Sequence, residues 1–198
     1  TSRLRSKPST VSISGAVAAL LEHASNSALV PLGCAVPDAA LLQSNRLDLA
    51  LARAARQHGA RYNVYGAPRG DLRLRSEISR RAMRIGHALS PDDVVITNGC
   101  TEAVTLALTA VAKPGDTIAV ESPTYFGLLH TLEMLGLKAL ELPTDPTCGV
   151  SVDALARLLD TEPVAACMLS SSFSNPLGSL MPEAQKRELL ALLARYAI

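Results

Sequence analysis

The sequence of 198 residues has no tryptophan, and aromatic residues make up only 3% of it. Because so few aromatic side chains are present, each tyrosine or phenylalanine beside a polar turn is a candidate for a specific contact. A surplus of either charge is also absent, since the formal net charge is +1 at pH 7. The composition therefore excludes the broad basic surface by which many proteins bind nucleic acids or anionic membranes.

Cysteines and long apolar runs are scarce. No two cysteines have the spacing of zinc ligands or of a redox motif; the four are Cys34, Cys100, Cys148 and Cys167. No apolar run reaches the length of a membrane span, and the N-terminus lacks a signal-peptide pattern. We therefore expect a protein of the reducing cytoplasm with no membrane partner, and no metal site is predicted.

The most informative segment is 94–103, which has the pattern of a buried strand, a tight turn and the start of a helix. Three β-branched residues at 94–96 precede Asn98-Gly99, and residues 103–108 continue with a helical apolar face. Such a turn presents backbone N–H groups and the positive end of a helix dipole, which suits a phosphate. Any strand-turn-helix unit makes a similar corner, so this segment alone predicts no particular ligand.

The first ninety residues are predicted to be mainly arm, loop and helix. Residues 1–14 are predicted to be an extended arm, and Ser14 is the predicted N-cap of a helix that begins at Gly15. Residues 29–44 are predicted to be a loop with at most a short strand. Two further helices are predicted at 47–57 and 72–85, the second with a basic outer face.

After Pro91 the pattern changes to a regular alternation of strands and helices, which predicts an α/β domain with a mostly parallel sheet and flanking helices. The predicted strands are 94–97, 117–121, 138–142 and 164–169, and the predicted helices are 101–111, 124–135, 151–159 and 183–196.

Three polar turns follow the carboxyl ends of predicted strands, where parallel sheets bind their ligands. The first contains Gly99, Cys100 and Thr101, the second contains Tyr125, and the third contains Asn175. Together they would suit a phosphate-bearing aromatic cofactor. The first turn supplies N–H and hydroxyl donors, the second an aromatic ring for stacking, and the third an amide for a ring hydroxyl.

Each of these residues also has a simpler interpretation. Tyr125 would serve equally well to cover an apolar helix edge, and Asn175 before Pro176 would serve as a turn former. Cys100 is not predicted to be a nucleophile, since no histidine is placed by the sequence to activate it. The arginine-rich face at 73–84 is typical of a solvated helix, with an acidic partner surface as the alternative.

Several motifs, in the same order, resemble the fold-type I pyridoxal-phosphate (PLP) aminotransferases. More narrowly, they resemble the aminotransferase-like domain of the MocR-type transcriptional regulators in the GntR superfamily. The motifs are Pro31-Leu32-Gly33 with Pro37-Asp38, Tyr65-Gly66-x-Pro68-x-Gly70 with Leu74-Arg75, ITNGCTEA (96–103), KPGDTIAVESPTYFG (113–127), LGLKALELP (135–143) and SNPLGSLMP (174–182).

The resemblance implies a role for each matching position. Gly99, Cys100 and Thr101 match the phosphate-binding turn, Tyr125 matches the aromatic residue that stacks on the pyridine ring, and Asn175 matches the asparagine at the cofactor's phenolic oxygen. Tyr65 matches a tyrosine that reaches the phosphate of a neighbouring subunit, which implies a homodimer. The resemblance also suggests a cis peptide at Ser122-Pro123 or Asn175-Pro176. Arg75 is expected to form structural ion pairs instead.

Some of the family's residues have no match here. Three of them are expected beyond residue 198: the lysine that holds PLP covalently, the acid at the pyridine nitrogen and the arginine that binds the substrate carboxylate. A winged helix-turn-helix domain is expected before residue 1. We therefore expect a fragment, inactive alone. In it, residues 1–60 form an arm and small-domain helices, and residues 61–198 form the N-terminal half of an incomplete PLP-binding large domain.

Three functions remain open. The leading hypothesis is an effector domain that binds PLP and an amino acid or amine, with DNA bound only through the missing upstream domain. The alternative is part of a free-standing aminotransferase that acts on an amino acid and a 2-oxo acid. The third is a degenerate interaction module that binds no cofactor.

The resemblance further implies that strand 94–97 has no neighbouring strand within these residues, which leaves its backbone groups unpaired. We therefore predict that the isolated 198-residue chain is poorly stable or forms oligomers. Calorimetry with light scattering measures both properties, and a cooperative transition of a monomer would contradict the prediction.

Overall fold

The computed structural model describes residues 7–24, 26, 28–30, 37–42 and 44–198. The predicted loop motif Pro31-Leu32-Gly33 lies outside these residues. The described helices are α1 (Ser14–Ala24), α2 (Ser44–His58), α3 (Leu72–Arg84), α4 (Cys100–Val111), α5 (Phe126–Met134), α6 (Val152–Leu159) and α7 (Glu183–Tyr196), with 3-10 turns at Ala39–Leu41, Gly59–Asn63 and Pro91–Asp93. The described strands are β1 (Ser9–Thr10), β2 (Thr117–Ser122), β3 (Lys138–Asp145), β4 (Gly149–Val150) and β5 (Ala166–Met168).

The chain forms two compact units. The first consists of Thr1–Leu29 with Gly99–Ile198, and the second of Val30–Asn98. The predicted boundary near residue 60 separates an arm with small-domain helices from the PLP-binding large domain. This boundary stays a prediction.

The first unit is built on a mixed sheet with the strand order β1-β3-β2-β5. The strand β2 lies parallel to β3 on one side and parallel to β5 on the other. The short strands β1 and β4 both pair antiparallel with β3. The α/β class and the largely parallel core of the sheet are therefore confirmed, whereas the pairing of β1 was not predicted.

Helices cover both faces of this sheet, which explains why residues 118–120 form an uninterrupted apolar run in β2. Ile118 and Val120 pack with Leu132 and other residues of α4 and α5 on one face. Ala119, which points the opposite way, packs with Leu155 and other residues of α6 and α7 on the other face. Ile118, Ala119 and Val120 are all buried.

The N-terminus of α1 is capped by a carboxylate from a distant part of the sequence. The prediction that Ser14 precedes the helix as its N-cap is wrong by one residue, because the helix begins at Ser14 and its first bond runs from Val17 N–H to the Ile13 carbonyl. The N–H groups of Ile13 and Ser14 donate to Oε2 of Glu133 at 2.6 and 2.8 Å. This carboxylate satisfies N–H groups that a helix start leaves unpaired.

In the second unit, Arg75 of α3 is a buried structural residue. Its guanidinium donates to the carbonyl of Pro91 at 2.7 Å and to that of Gly70 at 3.3 Å, and it pairs with Asp92 at 3.1 Å. The expectation of a structural ion pair at Arg75 is therefore confirmed.

Residues 94–97 form no strand, so the predicted strand there is wrong. The N–H of Ile96 instead donates to the carbonyl of Arg69 at 3.0 Å, which places the two stretches of backbone side by side. Gly70 permits this approach, since a Cβ atom there would lie 2.6 Å from the side chain of Ile96. No strand among the described residues pairs with 94–97, as the family's strand order implied.

Among the helices of the described residues, none is both long and apolar enough to cross a membrane.

The cap at Glu133 predicts a specific loss of stability in acid. Hydrogen bonds from the N–H groups of Ile13 and Ser14 hold the pKa of Glu133 below its usual value of 4.5. The stability that the Glu133 carboxylate contributes is therefore complete above its usual pKa. This stability is lost as the pH falls through the lower pKa of the folded state. We expect Glu133→Gln to lower the melting temperature at neutral pH. We also expect the melting temperature of this variant to fall less steeply between about pH 5 and pH 3 than that of the original protein.

The matched control for this measurement is Glu188→Gln, which changes an exposed glutamate of α7. Thermal unfolding followed by circular dichroism across that pH range should leave the control with the acid dependence of the original protein. An equal acid dependence in Glu133→Gln and the original protein would refute the role of this cap.

Candidate active site

A cavity of about 320 Å³ lies at the carboxyl ends of β2 and β5, in the first unit. It is lined by residues of α4, of the turn between β2 and α5, of α5 itself and of the chain that follows β5. Ligands of parallel sheets bind at the carboxyl ends of the strands, next to a strand from which the chain continues to either side. Here β3 and β5 lie on opposite sides of β2. The cavity is open and mainly apolar, with a small number of polar groups.

The cavity brings together predicted residues from all three turns. Cys100 and Thr101 contribute from the start of α4, Tyr125 from the second turn and Asn175 from the third. These residues are separated by up to 75 positions in the sequence (100 to 175). The meeting of Tyr125 and Asn175 follows from the strand order, because β2 and β5, which precede them, lie side by side and parallel.

Gly99 shapes the turn that precedes α4 but does not line the cavity. It occupies the N-cap position of α4 with φ 92° and ψ 178°, a conformation open almost only to glycine. As a glycine, this N-cap residue contributes no side-chain cap to α4. The positive end of the helix dipole lies at the start of α4, where Cys100 and Thr101 line the cavity.

Tyr125 lies at the N-cap position of α5 with 44% of its surface exposed. Its ring packs over Gly127, where a Cβ atom would lie 2.6 Å from Cζ of the tyrosine. Its centroid is 4.8 Å from that of Phe126, with the two rings tilted by 52°. Gly127 thus determines where the ring lies, and the sequence analysis missed this role; a glycine two positions after the aromatic residue was the available indication.

The loop that contains Asn175 is closed by a pair of buried hydroxyl groups. The oxygens of Ser174 and Ser179 lie 2.6 Å apart, and the N–H of Ser179 donates to the Ser174 hydroxyl at 3.2 Å. The Asn175-Pro176 peptide is cis, as is Ser122-Pro123, so both suggested positions are confirmed. The sequence analysis did not identify the two serines, because nothing local indicates that they pair.

Glu121 is the charged residue that the sequence analysis missed. It is the last residue but one of β2, lines the cavity and is only 3% exposed. Burial raises the pKa of Glu121 above its usual value of 4.5, and the backbone of Ser170 nearby opposes this effect in part. The available indication was an acidic residue directly after the apolar run of β2.

Tyr65 belongs to the second unit and is fully exposed. Its predicted role, at the phosphate of a neighbouring subunit, concerns a second copy of the chain and stays a prediction. None of the residues that line the cavity is a lysine, an arginine or a histidine. Within the described residues, the donors to an anion at this cavity are therefore neutral groups and a helix dipole.

Known proteins share both the sequence and this fold. The chain is 39% identical over 179 residues to an uncharacterized HTH-type transcriptional regulator, YjiR, of Escherichia coli, covering 90% of the chain and 38% of YjiR. It is 32% identical over 141 residues to human tyrosine aminotransferase, covering 70% of the chain and 30% of that enzyme. The chain thus spans well under half the length of these relatives.

Among solved structures, LysN, an α-aminoadipate aminotransferase of Thermus thermophilus in complex with N-(5'-phosphopyridoxyl)-L-leucine, matches with a TM-score of 0.74 and 28% identity, covering 82% of this chain and 40% of that one. The model of the family "Aminotransferase class I and II" matches residues 35–198. The chain therefore belongs to the aminotransferase class I and II family.

Proposed function

We propose that this chain is the cofactor-binding part of a PLP-dependent effector domain in a transcriptional regulator of the MocR type. The observation that supports it most is the cavity that joins the start of α4, Tyr125 and Asn175. The regulator assignment is supported by the relative YjiR, which is named as an HTH-type transcriptional regulator and matches along 90% of the chain.

The groups at the cavity fit the chemistry of PLP at each of its ends. The N-terminus of α4, with the hydroxyl of Thr101, would bind the phosphate. The ring of Tyr125 would stack on the pyridine, and the amide of Asn175 would donate to the phenolic oxygen. A cavity of about 320 Å³ is also within the range of small-molecule sites.

When bound, PLP supplies an electrophilic carbonyl and an electron sink for amino compounds. The residues described here would bind and orient it, and the apolar side chains of Val104, Leu128 and Met168 would exclude water from its ring. No lysine of the described part of the chain lines the cavity, so these residues would hold the cofactor by hydrogen bonds and stacking. In a regulator, an amino acid or amine that reacts with the bound cofactor would be the effector.

The wider assembly belongs to the same proposal. The protein would work in the cytoplasm as a homodimer, with Tyr65 of each copy at the phosphate of the other, and would reach DNA through a winged-helix domain. The alternative is an aminotransferase that acts on an amino acid and a 2-oxo acid, which the similarity to tyrosine aminotransferase supports less strongly. A module that binds no cofactor has no supporting observation.

The test uses the whole natural gene product that contains this chain. We expect it to bind PLP, with a visible absorbance band, and to bind a DNA fragment from its own promoter region with an affinity that changes when PLP and an amino compound are added. Spectroscopic titration measures the first property and fluorescence anisotropy the second. The same sample is assayed for amino transfer to a 2-oxo acid.

If the protein binds PLP, transfers amino groups efficiently and has no specific affinity for DNA, the aminotransferase hypothesis would replace the regulator hypothesis. Absence of any PLP binding would refute the proposed function altogether.

The contact between Gly127 and Tyr125 generates a second prediction. Gly127→Ala would push the ring of Tyr125 away from its position, while an alanine suits the helix better than glycine. We expect the affinity for PLP to fall by about three- to tenfold, since an aromatic contact contributes about 0.5–1.5 kcal/mol. Equilibrium titration of the gene product with PLP measures the change.

The matched control is Gly15→Ala in α1, because a Cβ atom there meets nothing within 4 Å. This variant should gain about 0.5–1 kcal/mol of stability from helix propensity and keep its affinity for PLP. If Gly127→Ala binds PLP as tightly as Gly15→Ala does, the position of the Tyr125 ring has no part in binding.

A further inference from the structure

Ser174 and Ser179 close a short loop whose first residue is Asn175. Their hydroxyl oxygens lie 2.6 Å apart, and the N–H of Ser179 donates to the Ser174 hydroxyl at 3.2 Å. The backbone adds to this closure, since the N–H of Ser174 donates to the carbonyl of Ser179 at 3.2 Å. The two residues are therefore joined by three hydrogen bonds across the base of the loop.

Both serines are buried, whereas the residue between them that reaches the cavity is exposed. Ser174 is 5% exposed and Ser179 is 2% exposed. Asn175, the neighbour of Ser174, is exposed and lines the cavity. A buried hydroxyl group costs free energy unless it has a partner, and here each hydroxyl is the partner of the other. The pair therefore forms a fixed point directly beside Asn175.

The residues that follow Ser179 attach the base of the loop to the rest of the first unit. The N–H of Leu180 donates to the carbonyl of Thr147, in the turn between β3 and β4, at 3.1 Å. The N–H of Met181 donates to the carbonyl of Ser171 at 2.9 Å. Met181 also packs in the core on the face of the sheet that α6 and α7 cover. The base of the loop is thus fixed relative to the sheet.

Phe173, directly before the closed loop, has a strained backbone. Its φ of 53° lies in the left-handed region, and its side chain is 78% exposed, so burial of the ring does not explain this conformation. Contacts on either side impose it instead, because Ser172 forms a bridge with Leu180 and the hydroxyl pair holds the next residue along. The direction in which the chain enters Asn175 is therefore determined by these contacts.

We propose that Ser174 and Ser179 are positioning residues of the cofactor cavity: their hydroxyl pair holds the Asn175 amide in reach of the phenolic oxygen of the bound cofactor. The inference rests on the proposed function for the identity of that cofactor. The closure of the loop is a property of the chain without any ligand, so the two can fail separately.

The chemical consequence concerns the phenolic oxygen of PLP. A hydrogen bond from the Asn175 amide favours the deprotonated form of this oxygen and therefore lowers the pKa of the bound cofactor. When the amide is held less firmly, this pKa rises and the visible absorbance band of the cofactor changes at a higher pH. A variant that only destabilises the fold would lose affinity for PLP without this shift.

The first experiment tests the closure of the loop without PLP. Hydrogen exchange at the amide of residue 179, followed by mass spectrometry with residue-level fragmentation on the whole gene product, should be at least about tenfold faster in Ser174→Ala than in the original protein. In Ser179→Ala this amide keeps its acceptor, the Ser174 hydroxyl, so exchange relative to the intrinsic rate should stay within about threefold of the original. The buried Leu140 amide of β3 reports global opening and serves as the reference. Equal exchange at residue 179 in all three proteins would overturn the inference even if PLP binds.

The second experiment is a pH titration of the visible absorbance band of bound PLP. We expect the midpoint to rise by about one pH unit in Asn175→Ala and by about half a unit in Ser174→Ala. The rise should be smaller in Ser179→Ala, which retains one of the two contacts of the Ser174 hydroxyl. Ser174→Ala should also lower the affinity for PLP by about three- to tenfold.

A double variant separates positioning from general destabilisation. In the background of Asn175→Ala, Ser174→Ala should shift the midpoint no further, because both changes remove the same contact to the cofactor. A further shift in that background, or a loss of affinity with an unchanged midpoint in Ser174→Ala alone, would overturn the inference. Absence of any PLP binding would refute the proposed function and with it the positioning role, whereas the exchange result on the loop would stand.

The matched control is Ser79→Ala in α3. Ser79 is 4% exposed, its hydroxyl donates to the carbonyl of Arg75 at 3.1 Å, and it does not line the cavity. This variant also loses a buried hydroxyl group, but the titration midpoint of its bound PLP should be that of the original protein. If Ser174→Ala fails to fold, Ser179→Ala takes its place, and a midpoint equal to that of Ser79→Ala would then overturn the inference.

Discussion

The pairing of β2 with a parallel strand on each side is the constraint on which the rest of the first unit depends. Because β3 and β5 both run in the direction of β2, the three strands end at the same edge of the sheet. The turn into α5 and the loop that contains Asn175 therefore start from neighbouring points. Helices on both faces bury the strand completely, so its position cannot adjust without a loss of core packing. The cavity is a consequence of this arrangement.

Features with a local cause were predictable from the sequence. The helices α2, α3, α4 and α7 and the strands β2 and β3 follow from apolar periodicity and from glycine or proline at their ends, and all lie close to the predicted bounds. Features that join distant residues were not predictable in this way. The carboxylate of Glu133 meets residues about 120 positions earlier, and the hydroxyls of Ser174 and Ser179 meet only because the loop closes. The roles of Gly127 and Glu121 were also not predicted, since each depends on side-chain packing in the folded chain that the local sequence pattern does not give.

Residues 94–97 show the limit of local propensity most clearly. Their β-branched side chains favour an extended backbone, but a strand also needs a partner for its N–H and C=O groups. The described residues contain no such partner, and one N–H of the segment bonds to the carbonyl of Arg69 instead. The shape of the turn that follows does not depend on strand pairing, because it comes from the unusual conformation of Gly99 and from the start of α4.

The groups that line the cavity also bear on how the phosphate of the proposed cofactor and a buried acid would share it. Among the residues that the structure describes, no cationic side chain lines the cavity, so attraction for an anion would come from N–H groups, hydroxyls and the dipole of α4. These act over short distances, at the helix start. Glu121 lies near the end of β2, and burial raises its pKa above the usual value. The start of α4 and this buried acid therefore meet the cavity at different places: the first has the positive end of a helix dipole, and the second is a carboxyl group at the sheet edge.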